Sequence, residues 1–173
     1  MSSISLETER LENLYKSIYL YICLTFLLIF FDLYSKHTVE QILNFGSRED
    51  FYGFIDLYLT YNSGIAFSLL DFNNFFTRYI LLAFGLLVII FLITLFFKES
   101  DRFSKVSLIF IIAGALGNFV DRAIDGLVTD FLLFHIAGNS LFIFNVADAF
   151  ITIGAIIYFG SEITKLIKTR HEN

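Results

Sequence analysis

Four long apolar runs constrain this chain more than any other feature. They lie at roughly 14–34, 79–97, 106–120 and 141–159. A bilayer core calls for about 20 apolar residues at about 1.5 Å of rise each. Three runs fit as they stand, and the third reaches that length only by continuing through Asn118 and Asp121. With 57% hydrophobic residues, 23 Phe and a mean hydropathy of +0.72, the chain lies outside the composition of soluble domains. Four spans in 173 residues leave no room for a separate soluble part, so residues 1–173 read as one integral membrane domain. The stretch before the first run is acidic and shows no small-residue cleavage site, so it does not read as a removable leader. A net charge of −5 argues against a nucleic-acid partner.

Basic residues set the expected orientation. Arg10 and Lys16, then Lys98, Arg102 and Lys105, then Lys165, Lys168 and Arg170 account for eight of the twelve Lys and Arg. They flank one side of the spans, which places both termini and the 98–105 link in the cytoplasm. The connections 35–78 and 121–140 then face outward. Within the first, 54–62 alternates Ile55, Leu57, Leu59 and Tyr61 against Asp56, Tyr58 and Thr60, the period of a half-buried strand. Asn62-Ser63-Gly64 signals a turn, and 65–72 reads as a second extended stretch. Asp125-Gly126 marks another turn, with a short strand expected over 127–134. The fold class is therefore a mainly α membrane protein: four transmembrane helices with a small extracytoplasmic β-sheet.

Polar residues inside the apolar runs need a reason, because an aspartate in mid-membrane costs about 2.5–3.5 kcal/mol. Asn145, Asp148 and Thr152 stand at i, i+3 and i+7, on one face of a helix. Gly114, Asn118 and Arg122 repeat the pattern at i, i+4 and i+8, with Asp121 adjacent, and Gly114 and Gly117 allow a close helix approach. Intramembrane ionisable groups commonly face a cavity and mark function; a plain Asp148–Arg122 clamp between helices is the structural alternative. Asp32 and Lys36 at i, i+4 read as a structural ion pair at the membrane boundary, or with Lys36 meeting lipid phosphates. His37, His135 and His171 are far apart, and the lone Cys23 reads as a small buried hydrophobe, so neither a metal site nor a cofactor is indicated. No nucleophile motif or phosphate loop occurs. Carboxylates remain. Asp130 precedes the fourth run, and Asp148 would lie about two turns, roughly 10 Å, inside it. Two carboxylates brought together in a poorly solvated place share a proton, one activating water while the other polarises a carbonyl. An ion-coupled carrier would use similar residues, but the chain shows no internal repeat to support one.

The blocks "YNSGIAFS", "AGALGNFVDRAIDGLVTDF" and "FNVADAFITIG" resemble, in order, the signatures of the lipoprotein signal peptidase (type II signal peptidase) family of bacteria. Asp32 and Lys36 resemble its N-terminal Asp-x-x-x-Lys element, and the likeness runs from about Asp32 to Gly154. The resemblance implies a four-helix membrane aspartic peptidase of the cytoplasmic membrane that cleaves prolipoproteins just before a diacylglyceryl-modified cysteine. By position it implies a catalytic dyad of Asp130 and Asp148, supported by Asn62, Gly64, Gly114, Asn118, Arg122 and Asn145. The partners it implies are diacylglyceryl-modified prolipoproteins and membrane lipids, with a monomer as the expected state. Phe144, Phe150 and Ile151 are candidate surfaces for acyl chains. Ile65, Ala113, Ala149 and the lack of a proline before Asn145 depart from the family pattern, and an inactive homologue that only binds lipidated peptides is the remaining alternative.

Overall fold

A computed structural model describes residues 3–64 and 74–172. The elements run α1 (Ser3–Ile42), β1 (Arg48–Tyr52), β2 (Ile55–Asn62), α2 (Asn74–Lys98), α3 (Arg102–Asp125), β3 (Val128–Ile136), β4 (Asn139–Phe144) and α4 (Val146–Glu172). All four helices contain segments long and apolar enough to cross a membrane. Their apolar residues run round the whole surface, as helices bathed in hydrocarbon require: Phe26, Phe30, Phe84, Phe91 and Ile156 are all exposed by the rest of the chain.

Helix α3 is the core of the bundle. Of its apolar window 44% is buried, against 11% in each of the others, because α1, α2 and α4 all pack on it. Close packing without a solvent-driven force needs small residues, and α3 and α4 supply them. A Cβ at Gly114 would collide with the carbonyl oxygen of Ala147, and one at Gly154 would lie 2.6 Å from the carbonyl oxygen of Ser107. Asp101 caps the start of α3 by accepting from Ser104 N at 2.7 Å. Gly126 ends it in the left-handed region (φ 83°), returning its N–H to the Arg122 carbonyl.

The four strands form one antiparallel sheet in sequential order. One of its faces packs on the C-terminal end of α1 through Leu59, Phe131, Val39 and Leu43. An irregularity between Leu57 and Thr60 breaks the alternation read from β2. Asp56, expected on the polar face, is buried, with Arg48 2.6 Å away and His135 at 3.3 Å.

Several boundaries differ from the sequence reading. Helix α1 continues through Ile42, so Asp32 and Lys36 lie well inside it. Residues 141–144, read as the start of the fourth span, belong to β4; a short apolar run does not distinguish strand from helix. Strand β1 has no apolar alternation to announce it. Cys23 is exposed on α1, not buried. The stretch 65–72 and Ile65 fall outside the described residues.

Candidate active site

Asn145 and Asp148 are less anomalous than the apolar run around them suggests. Strand β4 ends at Phe144 and α4 begins at Val146, leaving Asn145 as the N-cap and Asp148 in the first turn. The pair forms a reciprocal cap. Asp148 N donates to Asn145 Oδ1 at 2.9 Å, and Asn145 N donates to Asp148 Oδ2 at 3.3 Å. Asp148 therefore sits at the helix mouth, where the dipole favours a carboxylate, and not two turns inside a span. Thr152 is exposed and shares no site with the other two.

Asp130 comes from β3, opposite Thr60 of β2, and is 4% exposed. Asn145 Nδ2 donates to its Oδ1 at 2.7 Å, and Asn62 Nδ2 donates to its Oδ2 at 3.0 Å. Burial pushes the Asp130 carboxyl above the usual carboxylate range. The Asn62 amide opposes this, and the nearby Asp148 charge adds to it. Asp148, half-buried, accepts from Asn118 Nδ2 at 2.8 Å through its Oδ1. Among the described residues, all four oxygens of the two carboxylates thus receive one N–H each.

The direction of those amides is fixed by their far ends. Each of the three asparagines has its Oδ1 held by a group that only donates. Gly64 N reaches Asn62 Oδ1 at 2.7 Å, Asp148 N reaches Asn145 Oδ1, and Lys36 Nζ reaches Asn118 Oδ1 at 2.9 Å. The NH2 ends have no choice but to face the carboxylates. Such an array can keep one carboxyl protonated near an ionised one and leaves lone pairs for a water.

A family model described as signal peptidase (SPase) II matches residues 24–164. The lipoprotein signal peptidase of Buchnera aphidicola subsp. Schizaphis graminum is 35% identical over 144 residues, covering 82% of this chain and 92% of that protein. That of Brucella ovis is 38% identical over 131 residues, covering 75% and 80%. The chain belongs to the signal peptidase II family. Two solved bacterial membrane enzymes share its fold: one at TM-score 0.73 and 29% identity over 83% of this chain and 92% of that one, the other at 0.72 and 30% over 90% and 93%.

Among the other candidate residues of this signal peptidase II chain, Gly64 (φ 79°) turns the end of β2 past Leu81 and Arg122. Arg122 is not clamped to Asp148 in the described residues. Its Nε is buried without a hydrogen-bond partner among them, and with Asn118 it lines a cavity of about 140 Å³ otherwise walled by apolar groups of α2 and α3. Phe150 stacks edge-on against Phe110, and Ile151 lies over Gly114, so each has one side packed into the bundle while staying half-buried. Asp32 and Lys36 pair at 2.9 Å, with 0% and 3% of their side chains exposed. That burial takes Lys36 away from lipid phosphates. Asp32 Oδ1 also accepts from Ala147 N at 2.8 Å, and a Cβ at Gly117 would collide with its carboxylate. Sequence reasoning finds this pair but not its reach to Asn118 and Ala147. The i, i+4 spacing shows only what lies one turn away.

Proposed function

We propose that this chain is an active aspartic peptidase that removes signal peptides from diacylglyceryl-modified prolipoproteins by cutting before the lipidated cysteine. The curated relatives are named lipoprotein signal peptidases. The observation that carries the mechanism is the set of amides aimed at Asp130 and Asp148. Asp130, buried and raised, is the acid at rest; Asp148, more open and at a helix mouth, is the base. Asp148 takes a proton from a water whose oxygen attacks the scissile carbonyl, while the Asp130 proton hydrogen-bonds the carbonyl oxygen. Collapse of the tetrahedral intermediate breaks the C–N bond, and the proton held by Asp148 passes to the departing cysteine amine.

The chain would act in the bacterial cytoplasmic membrane, with both termini cytoplasmic and the site near the outer leaflet. Leu81, Phe84, Val88 and Phe119 beside Arg122 and Asn118 offer an apolar recess for a lipid chain next to polar groups for its carbonyls. Gel-shift cleavage of a diacylglyceryl-modified prolipoprotein by the purified protein in detergent tests the reading. Asp130→Asn and Asp148→Asn should each abolish cleavage, the double variant should be no worse than either, and Asp125→Asn, at the exposed end of α3, should remain active. Substantial activity in Asp148→Asn would overturn the dyad.

A further inference from the structure

Lys36 lies on α1, remote in sequence from both aspartates, and its ammonium is buried at the meeting point of three carboxyl or amide groups. It donates to Asp32 Oδ2 and Asn118 Oδ1, each at 2.9 Å, and lies 3.3 Å from Asp121 Oδ2. Two of those neighbours lead on to the aspartates. Asn118 passes its Nδ2 to Asp148 at 2.8 Å. The same Asp121 Oδ2 accepts from Thr129 N at 2.7 Å, and Thr129 immediately precedes Asp130 in β3. We propose that Lys36 is a positioning residue of the reaction, a single cation that orients Asp148 through Asn118 and Asp130 through Asp121 and the Thr129 backbone.

An amide differs little in shape between its two orientations, so packing alone does not choose between them. A cation does: with Lys36 present, turning Asn118 over would place its NH2 against an ammonium and its oxygen against a carboxylate. Without Lys36 only Asn145 Nδ2, 3.1 Å away and also donating to Asp130, still opposes that inversion, so it costs less, and Asp148 can be met by an oxygen, a geometry that suits only a protonated acid. An ion pair of Asp32 and Lys36 serving α1 alone would need neither the contact to Asn118 nor the approach to Asp121. Among the described residues, the charged groups around Lys36 and the aspartates are Asp32 on α1, Asp121 and Arg122 on α3, Asp130 on β3 and Asp148 on α4, with Glu40 of α1 reached through the Thr129 hydroxyl at 2.9 Å. Among these, the Lys36 charge also holds the Asp130 carboxyl down against the effect of its burial.

This inference rests on the dyad reading, and two readouts separate them. Lys36→Met alone strands Asp32, so the double variant Asp32→Asn/Lys36→Met is the cleaner probe: the side-chain amide that replaces the Asp32 carboxylate still offers an oxygen to Ala147 N but carries no charge. On the lipidated substrate its kcat should fall about a hundredfold, the scale of a small misplacement of reacting groups, with KM changed less than threefold. Lys36→Arg, which keeps the charge, should recover part of that loss. Without substrate, carbon-13 NMR of labelled aspartate carboxyls should show the Asp130 titration moving to higher pH in the double variant and returning towards wild type in Lys36→Arg. An unmoved titration overturns the proposal, whether or not the protein cleaves. A shifted titration in a protein whose Asp148→Asn variant still cleaves would leave Lys36 in its place and overturn the dyad.

Discussion

Asn145 does two jobs that a substitution can separate. Its Oδ1 caps α4 through Asp148 N, and its Nδ2 bridges Asp130 and Asn118. Asn145→Ala should lose both, slowing turnover by about 10²–10³ through a lost positioning donor and lowering helix stability by about 1 kcal/mol. Asn145→Ser restores a good cap but no second amide arm. Its thermal midpoint should therefore approach wild type while kcat stays low; recovery of kcat would show that the bridge to Asp130 is dispensable. Asn62 gives a pH test with a definite sign. Its N–H stabilises the ionised Asp130 and so pulls that carboxyl down. In Asn62→Ala the proton should be held to higher pH, and the alkaline limb of kcat/KM should move upward. A downward move would contradict the geometry. Both asparagines stand out in the sequence, yet Asn145 reads there as part of a span. The Asn-x-x-Asp spacing is itself a helix-start signal, but an unbroken apolar run on both sides of it hides the boundary.

Helix packing at α3 and α4 makes a sharper demand than hydropathy does. Gly114 and Gly154 each face a backbone carbonyl of the partner helix, which no side-chain rotation can relieve. Alanine at either should destabilise by about 1–3 kcal/mol, seen as a lower thermal midpoint in detergent. Gly160, on the same helix as Gly154 with open space beside it, is the control, and alanine there should be neutral or stabilise by up to about 1 kcal/mol. Equal effects at Gly154 and Gly160 would mean that α4 does not approach α3 as closely as described. The glycines at 114 and 117 are readable as an approach face because small residues have no other common reason to recur in an apolar helix. The strands are half readable. β2 and β3 carry enough alternation or apolar density to register. β1, with Arg48, Glu49 and Asp50, is defined only by its pairing to β2, and pairing is not a local property.

Four long apolar helices are legible because hydrocarbon imposes length and composition directly on the chain, and a small sheet because its strands fall in the connections between them. The convergence of α1, α3, β3 and α4 on one point is not, since it depends on which helix faces meet. Orientation at this scale has a direct chemical test. In a Cys23→Ser background, Glu49→Cys on the exposed β1 should react with a membrane-impermeant thiol reagent from the outside of intact cells. Labelling only after the cytoplasmic side is opened would invert the topology. Substrate entry belongs here too: with a recess walled by α2 and α3, a lipidated prolipoprotein should be cut far faster than its unlipidated form, and equal rates would remove the recess from recognition.

The Asp32–Lys36 pair also bears on how the chain is made. Helix α1 reaches the bilayer before Asn118, 82 positions later, has been synthesised. At that stage neither charge has its partners on α3 and α4, and each alone would oppose insertion by about 2.5–3.5 kcal/mol. One helical turn apart, the carboxylate and ammonium can neutralise each other in transit and, still paired, join the rest of the network when α3 arrives. A pair assembled from two different helices could not travel this way. The cation that later meets α3 is thus delivered with its own counter-ion, and biogenesis would fix the spacing of these two residues even if catalysis did not.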